Sequence, residues 1–157
     1  MNINQYLDSI NQRYQTGISR EHAYRGDLQQ LLESLLPGVM ATNEPARINC
    51  GAPDYVLTRK DVPLGYIEAK DIGIDLSSKT LKEQFDRYKA ALDNLIFTDY
   101  LDFHFYKSGE LISKITIAEI QQGRIVAKPE NFAQFTALIE NFALQVTQSM
   151  NSATSRA

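Results

Sequence analysis

The sequence predicts a mixed α/β (α+β) fold, a central mixed sheet flanked by helices. Three observations predict it. Apolar residues recur at helical spacing near both ends of the chain, short strand-like runs fill the middle, and the order reads helix, helix, strands, helix, strands, helix. The 157 residues fit one core. A 43% hydrophobic and 22% charged composition is a globular balance that argues against wholesale disorder.

The elements follow in order. Ile3, Tyr6, Leu7, Ile10 and Tyr14 form one face of a first helix. A second helix starts after Ser19, a suitable N-cap, with Glu21 in its first turn. Its buried stripe is Tyr24, Leu28, Leu31, Leu32 and Leu35, and Pro37-Gly38 ends it. Strand-like pieces follow around Ala46–Cys50, Tyr55–Arg59 and Leu64–Lys70. Ser77 or Ser78 caps a third helix from about Thr80 to Leu92. The runs "NLIFT", "DFHFYKSGE" and "LISKITIAEI" then read as strands, with a turn at Ser108-Gly109. A last helix spans about 130–148, with Phe132, Phe135, Leu138, Ile139, Phe142 and Val146 on one face. The organisation expected is a single domain over 1–150: a helical segment of about 1–18, a core of about 19–128 and the C-terminal helix. A polar tail, 151–157, follows, with the composition of a frayed end or the start of a linker.

Charge and cysteine use narrow the function classes. Net charge is −3 with a pI near 5.4, whereas free-standing DNA binders usually carry a basic excess. Action on nucleic acid would therefore need a local basic face or help from another domain. No apolar run approaches the roughly 18 residues that cross a bilayer, and "MNINQYLDS" is not a signal peptide. Cys50 stands alone, which suits a reducing cytoplasm.

The chemistry concentrates in "GAPDYVLTRKDVPLGYIEAKD", Gly51 to Asp71. Side chains alternate along a strand, so Tyr66, Glu68 and Lys70 share one face and Ile67 and Ala69 the other. Folding the hairpin about Asp61 puts Asp54 opposite Glu68, and directly opposed residues have Cβ atoms about 5 Å apart. Adjacent carboxylates disfavour each other's ionisation. A hard divalent cation between them relieves the repulsion, and the Ala69 carbonyl could add a further oxygen. Taken residue by residue, Asp54, Glu68 and Lys70 equally suit a solvated face with a surface ion pair.

Together they form a pattern. Pro53-Asp54, thirteen residues, then Glu68-Ala69-Lys70 resembles the PD-(D/E)xK nuclease motif. On the third helix Gln84 and Tyr88, spaced i and i+4 on one face, match the Q-x-x-x-Y element of Mrr- and RecB-like nucleases. The stretches "EHAYRGDLQQLLESLLPG", "ATNEPARINCGAPDYVL", "GYIEAKDIGIDL" and "LIFTDYLDFHFY" are similar to the N-terminal nuclease domain of type ISP restriction-modification enzymes, over roughly Ser19 to Tyr106.

That resemblance implies a restriction-endonuclease-like fold and metal-dependent hydrolysis of DNA in defence against phage. Asp54, Glu68 and the Ala69 carbonyl would hold Mg²⁺, with Mn²⁺ able to substitute. Lys70 would position the attacking water or stabilise charge on the phosphate. Glu21 is either a further acid at the metal site or a carboxylate favoured by its helix N-terminus. Gln84 and Tyr88 would contact DNA or orient the catalytic side chains. Arg20, Arg25, Arg87 and Lys89 are candidates for phosphates. His22 reads as a helix-surface residue, Cys50 as a small core residue, and His104 as pointing to solvent. In type ISP enzymes a helicase-like motor, an adenine methyltransferase and a target-recognition domain share the nuclease's chain. The sequence then reads as an excised domain or a stand-alone homologue, needing a second copy for double-strand cuts. Two other functions fit the same residues: a catalytically silent DNA-binding or protein-docking module, and a structure-specific repair nuclease.

Overall fold

The computed structural model describes residues 1–17, 21–43, 48 and 50–156, without the side chains of Glu21 and 145–156. Helix α1, Ile3–Gln15, opens on a capping box: the Asn2 side chain accepts from the Gln5 amide at 2.8 Å, and the Asn2 amide donates to Gln5 Oε1 at 2.9 Å. It buries Ile3, Tyr6, Leu7 and Ile10, and the Tyr6 hydroxyl donates to the Tyr100 carbonyl at 2.7 Å. Tyr14 is only half-buried.

The second helix begins later than its sequence suggests. A 3₁₀ turn, Glu21–Tyr24, leads into α2, Arg25–Leu35, and the expected cap at Ser19 lies outside the described residues. Leu28, Leu31 and Leu32 are buried as the periodicity requires. Leu36, just past the helix, is buried where Leu35 is only half-buried. Gly38, at φ +83, then makes the turn that a side chain would strain.

Six strands form the main sheet: β1 Met40–Asn43, β2 Tyr55–Arg59, β3 Val62–Ala69, β4 Asn94–Thr98, β5 Asp102–Lys107 and β6 Glu110–Thr116. They lie in chain order. All neighbours are antiparallel except β3 and β4, which run parallel across the crossover helix α3, Lys79–Ala91. The mixed sheet expected from sequence is thus present. β1 was not expected. It is four residues long at the sheet edge, too short to register as an alternating run. Of the strand expected around Ala46–Cys50, the described part is a single bridge between Ile48 and Gly51. The run "LISKITIAEI" breaks at Ile117, which is fully buried and donates to the Leu101 carbonyl, so β6 ends there. β7, Ala118–Gln121, leaves to form a separate hairpin with β8, Arg124–Ala127.

The sheet separates two apolar layers. Tyr55, Leu57, Ile67, Ala69, Ile96, Phe103 and Phe105 pack with α1, α2 and α4 (Phe132–Arg156, preceded by a 3₁₀ turn at Pro129–Asn131). Leu95 and Phe97 pack on the other side with Phe85 and Tyr88 of α3 and with Leu92 just past its end, and the Phe85 and Phe97 rings stack at 3.6 Å. α4 approaches β3 closely at Gly65, where a Cβ would lie 2.3 Å from the Phe142 ring. Asn94 bridges this contact, donating to the carbonyls of Leu64 at 3.0 Å and Phe142 at 2.7 Å. α4 extends beyond the expected 130–148 into the residues read as a tail.

Candidate active site

Register decides whether the two motif acids meet. At the tip, Arg59 faces Val62 and Thr58 faces Pro63, with Lys60 and Asp61 both at positive φ as a two-residue turn requires. The pairing then shifts between Leu57 and Thr58, so that Leu57 faces Gly65, Val56 faces Tyr66 and Tyr55 faces Ile67. That shift moves the far end of the hairpin onto the register of a fold about Asp61. Asp54, one residue before β2, therefore stands beside Glu68 near the end of β3.

The two carboxylates are locked into the backbone on either side. The Ala69 amide donates to Asp54 Oδ2 at 2.8 Å, and the Asp54 amide donates to Glu68 Oε1 at 3.2 Å. Lys70 follows β3, and its amide donates to the Thr98 carbonyl at 2.8 Å, extending the parallel pairing with β4. Its Nζ donates to Gln84 Oε1 at 2.8 Å and lies 3.5 Å from Glu68 Oε2. Gln84 in turn donates from Nε2 to Glu68 Oε2 at 3.0 Å. One amide on α3 thus orients both the second acid and the lysine of the motif.

The surroundings set the charge of the pair. Glu68 is only 4% exposed. Its burial, with the neighbouring Asp54 charge second, pushes its carboxyl up to about 8, against a smaller opposing pull from Lys70. Arg25, the first residue of α2, places Nη2 on Asp54 Oδ1 in an ion pair whose side chains are each 12% exposed. The helix start is fixed from beneath, where the Tyr55 hydroxyl donates to the Arg25 carbonyl at 2.9 Å.

The remaining candidates distribute as follows. Tyr88 is buried on α3 with its hydroxyl against Gly51, and burial raises its pKa. Arg87 is exposed on the same helix. Lys89 sits 4.9 Å over the Tyr106 ring and 3.6 Å from Asp86. His22 is exposed on the first 3₁₀ turn, and Cys50 is half-buried against the α3 layer. Arg20 and the Glu21 side chain lie outside the described residues. Among the described residues no group of three or more His, Cys, Asp and Glu is arranged to hold a metal, so Asp54 and Glu68 stand as a two-carboxylate set.

His104 differs from its expected place. It is 5% exposed, and Nε2 lies 2.9 Å from Asp102 Oδ2. Glu68, Phe97, His104 and Lys114 form one row across four strands, so His104 shares the α3 side of the sheet with Phe97. The D-x-H spacing, two residues apart on one strand, is the signal that could have found its partner. The Arg25–Asp54 pair had no comparable signal, because its members are 29 residues apart and on different elements.

No family model and no curated protein matches the chain. A cryoEM structure of a DrdV–DNA complex contains a chain of similar fold, with a TM-score of 0.67 and 20% sequence identity. The likeness covers 90% of this chain and 13% of that one, so the protein spans about an eighth of the length of its structural neighbour. The shared feature is the fold, a central mixed sheet flanked by helices. Among the described residues no helix is long and apolar enough to cross a membrane.

Proposed function

We propose that the chain is a divalent-metal-dependent DNA endonuclease domain, the cleaving module of a restriction system. The observation that carries this reading is the meeting of Asp54, Glu68 and Lys70 at the end of one hairpin, with Asp54 joined to Glu68 and Ala69 through backbone amides and Gln84 holding Glu68 and Lys70. The similarity of fold to a chain solved in complex with DNA supports it. Two adjacent carboxylates on a rigid hairpin fit a hard cation whose other positions go to water and phosphate oxygens. Asp54 and Glu68 would hold Mg²⁺ or Mn²⁺, with the Ala69 carbonyl as a further oxygen. Such an ion supplies Lewis acidity to a phosphate oxygen and acidity to its own water.

The chain's own residues do the rest. The backbone amides of Ala69 and Asp54 hold the two carboxylates in place before any ligand arrives. Gln84 keeps Lys70 directed at the site, where its ammonium would hold the attacking water or offset charge on the phosphate. Sequence recognition and delivery to DNA would come from further domains of the type ISP kind, motor, methyltransferase and target recognition, in a cytoplasmic enzyme. A second copy would cut the second strand.

The test is nicking of supercoiled plasmid in Mg²⁺ or Mn²⁺ against EDTA, beside Asp54→Ala and Lys70→Ala. Metal-dependent nicking lost in both variants is the expected result. Wild-type rates in either variant would sink the assignment. A second reading, a silent DNA-binding or docking module, draws support from the way Arg25 and Lys70 already partner the two acids. Calorimetric titration with Mn²⁺ separates the two, since a silent module has no need of the ion.

A further inference from the structure

Asp54 is the acid that a nuclease of this design must offer to its metal, yet a side-chain cation already sits on it. The Arg25 guanidinium occupies Oδ1, while the Ala69 amide occupies Oδ2. The pair is mostly shielded from water, so the interaction is stronger than a surface ion pair. With Glu68 ionised, as a carboxylate that ligates a metal must be, the charges in the site cancel: Asp54 and Glu68 against Arg25 and Lys70. A dication added to this balanced set leaves an excess of two positive charges. A phosphodiester and a hydroxide would cancel that excess. Arg25 is also well placed to change partners. Its backbone is fixed at the start of α2 by Tyr55, and a guanidinium pairs with a phosphate through the same forked geometry that it uses for a carboxylate.

Building on the nuclease reading, we propose that Arg25 is an internal placeholder for the metal: it holds Asp54 until DNA arrives, then transfers to the backbone phosphate and frees the carboxylate for the cation. Metal affinity is weak without DNA and rises with it, which confines the loaded site to the DNA-bound enzyme. Arg25 is in this sense a positioning residue that becomes a phosphate contact.

The experiment is calorimetric titration of Mn²⁺ into the full chain, stripped of metal, for the wild type, Arg25→Gln, Arg25→Lys and Asp54→Asn, each with and without a short DNA duplex. Circular dichroism checks that each variant is folded. Arg25→Gln should bind Mn²⁺ alone at least about tenfold more tightly than the wild type, a difference of about 1.4 kcal/mol. It should also lose most of the gain that the duplex gives the wild type. Arg25→Lys keeps the charge without the fork and should fall between; it decides the matter if Arg25→Gln does not fold. Unchanged or weaker Mn²⁺ binding in the folded Arg25 variants, with binding lost in Asp54→Asn, overturns the placeholder and leaves the metal site standing. Wild-type Mn²⁺ binding by Asp54→Asn instead removes the metal site, and the placeholder with it.

Discussion

Replacing Glu68 by Gln should flatten the pH dependence of the metal-free protein's stability. In the unfolded chain this carboxyl ionises near 4.5, whereas in the folded protein, buried beside Asp54, it keeps its proton to about 8. Below 4.5 both states are protonated and the group has no effect. Between the two values the unfolded chain sheds the proton while the folded one retains it, so stability falls as pH rises; above 8 the loss is complete. Each pH unit in that window is worth about 1.4 kcal/mol. From 4.5 to about 8 the ceiling is therefore about 5 kcal/mol, a large share of a small domain's total. Urea unfolding in EDTA at about pH 5 and about pH 8.5 reads it, with fixed slopes for both proteins. Titrating groups away from the site act alike in wild type and Glu68→Gln and drop out of the difference, which reports Glu68 together with its neighbours Asp54 and Lys70. The wild type should lose at least about 2 kcal/mol more than the variant across that range. Parallel profiles for the two proteins would refute the reasoning, because the buried acid would then carry no excess proton.

Three further outcomes follow from packing and hydrogen bonding. Gly65→Ala drives a methyl into the Phe142 ring and should cost about 1–3 kcal/mol in chemical denaturation, as overpacking of a filled core does. Tyr6→Phe deprives the buried Tyr100 carbonyl of its 2.7 Å donor and should cost about 1–3 kcal/mol, read as a lower midpoint at unchanged slope. Gln84→Ala releases Lys70 and Glu68 together and should lower plasmid nicking by about a hundredfold while leaving the melting temperature within a few degrees.

Legibility in the sequence followed how local each cause is. β2 and β4 coincide with the runs read as strands, because apolar residues bounded by turn signals leave one reading. The Asp54–Glu68 pairing was reachable from alternation and a turn centre alone, although the tip is displaced and a bulge restores the register. β1 was missed because four edge residues carry too little pattern. His104 was misplaced because Phe-His-Phe alternation gives the histidine's face but cannot say that the α3 side is covered there. The sequence presents Arg25 as a phosphate contact, and its partner in the fold is set by how α2 docks at the end of the hairpin, which no window of sequence encodes.

The single parallel pairing, β3 to β4, has a consequence for how the site is assembled in time. Asp54, Glu68, Lys70 and Gln84 all lie within one hairpin and the crossover helix that follows it. The side-chain hydrogen bonds among them span 14 to 16 residues, whereas the Arg25 side chain reaches in over 29. Short loops close early and at low entropic cost, so this segment can gather its acids and lysine before the outer helices dock. The carboxylates would then approach each other while α2 is still unattached, and the arrival of Arg25 late in folding would seal them. Hydrogen exchange during refolding should accordingly protect the amides of Asp54 and Ala69 before those of α2.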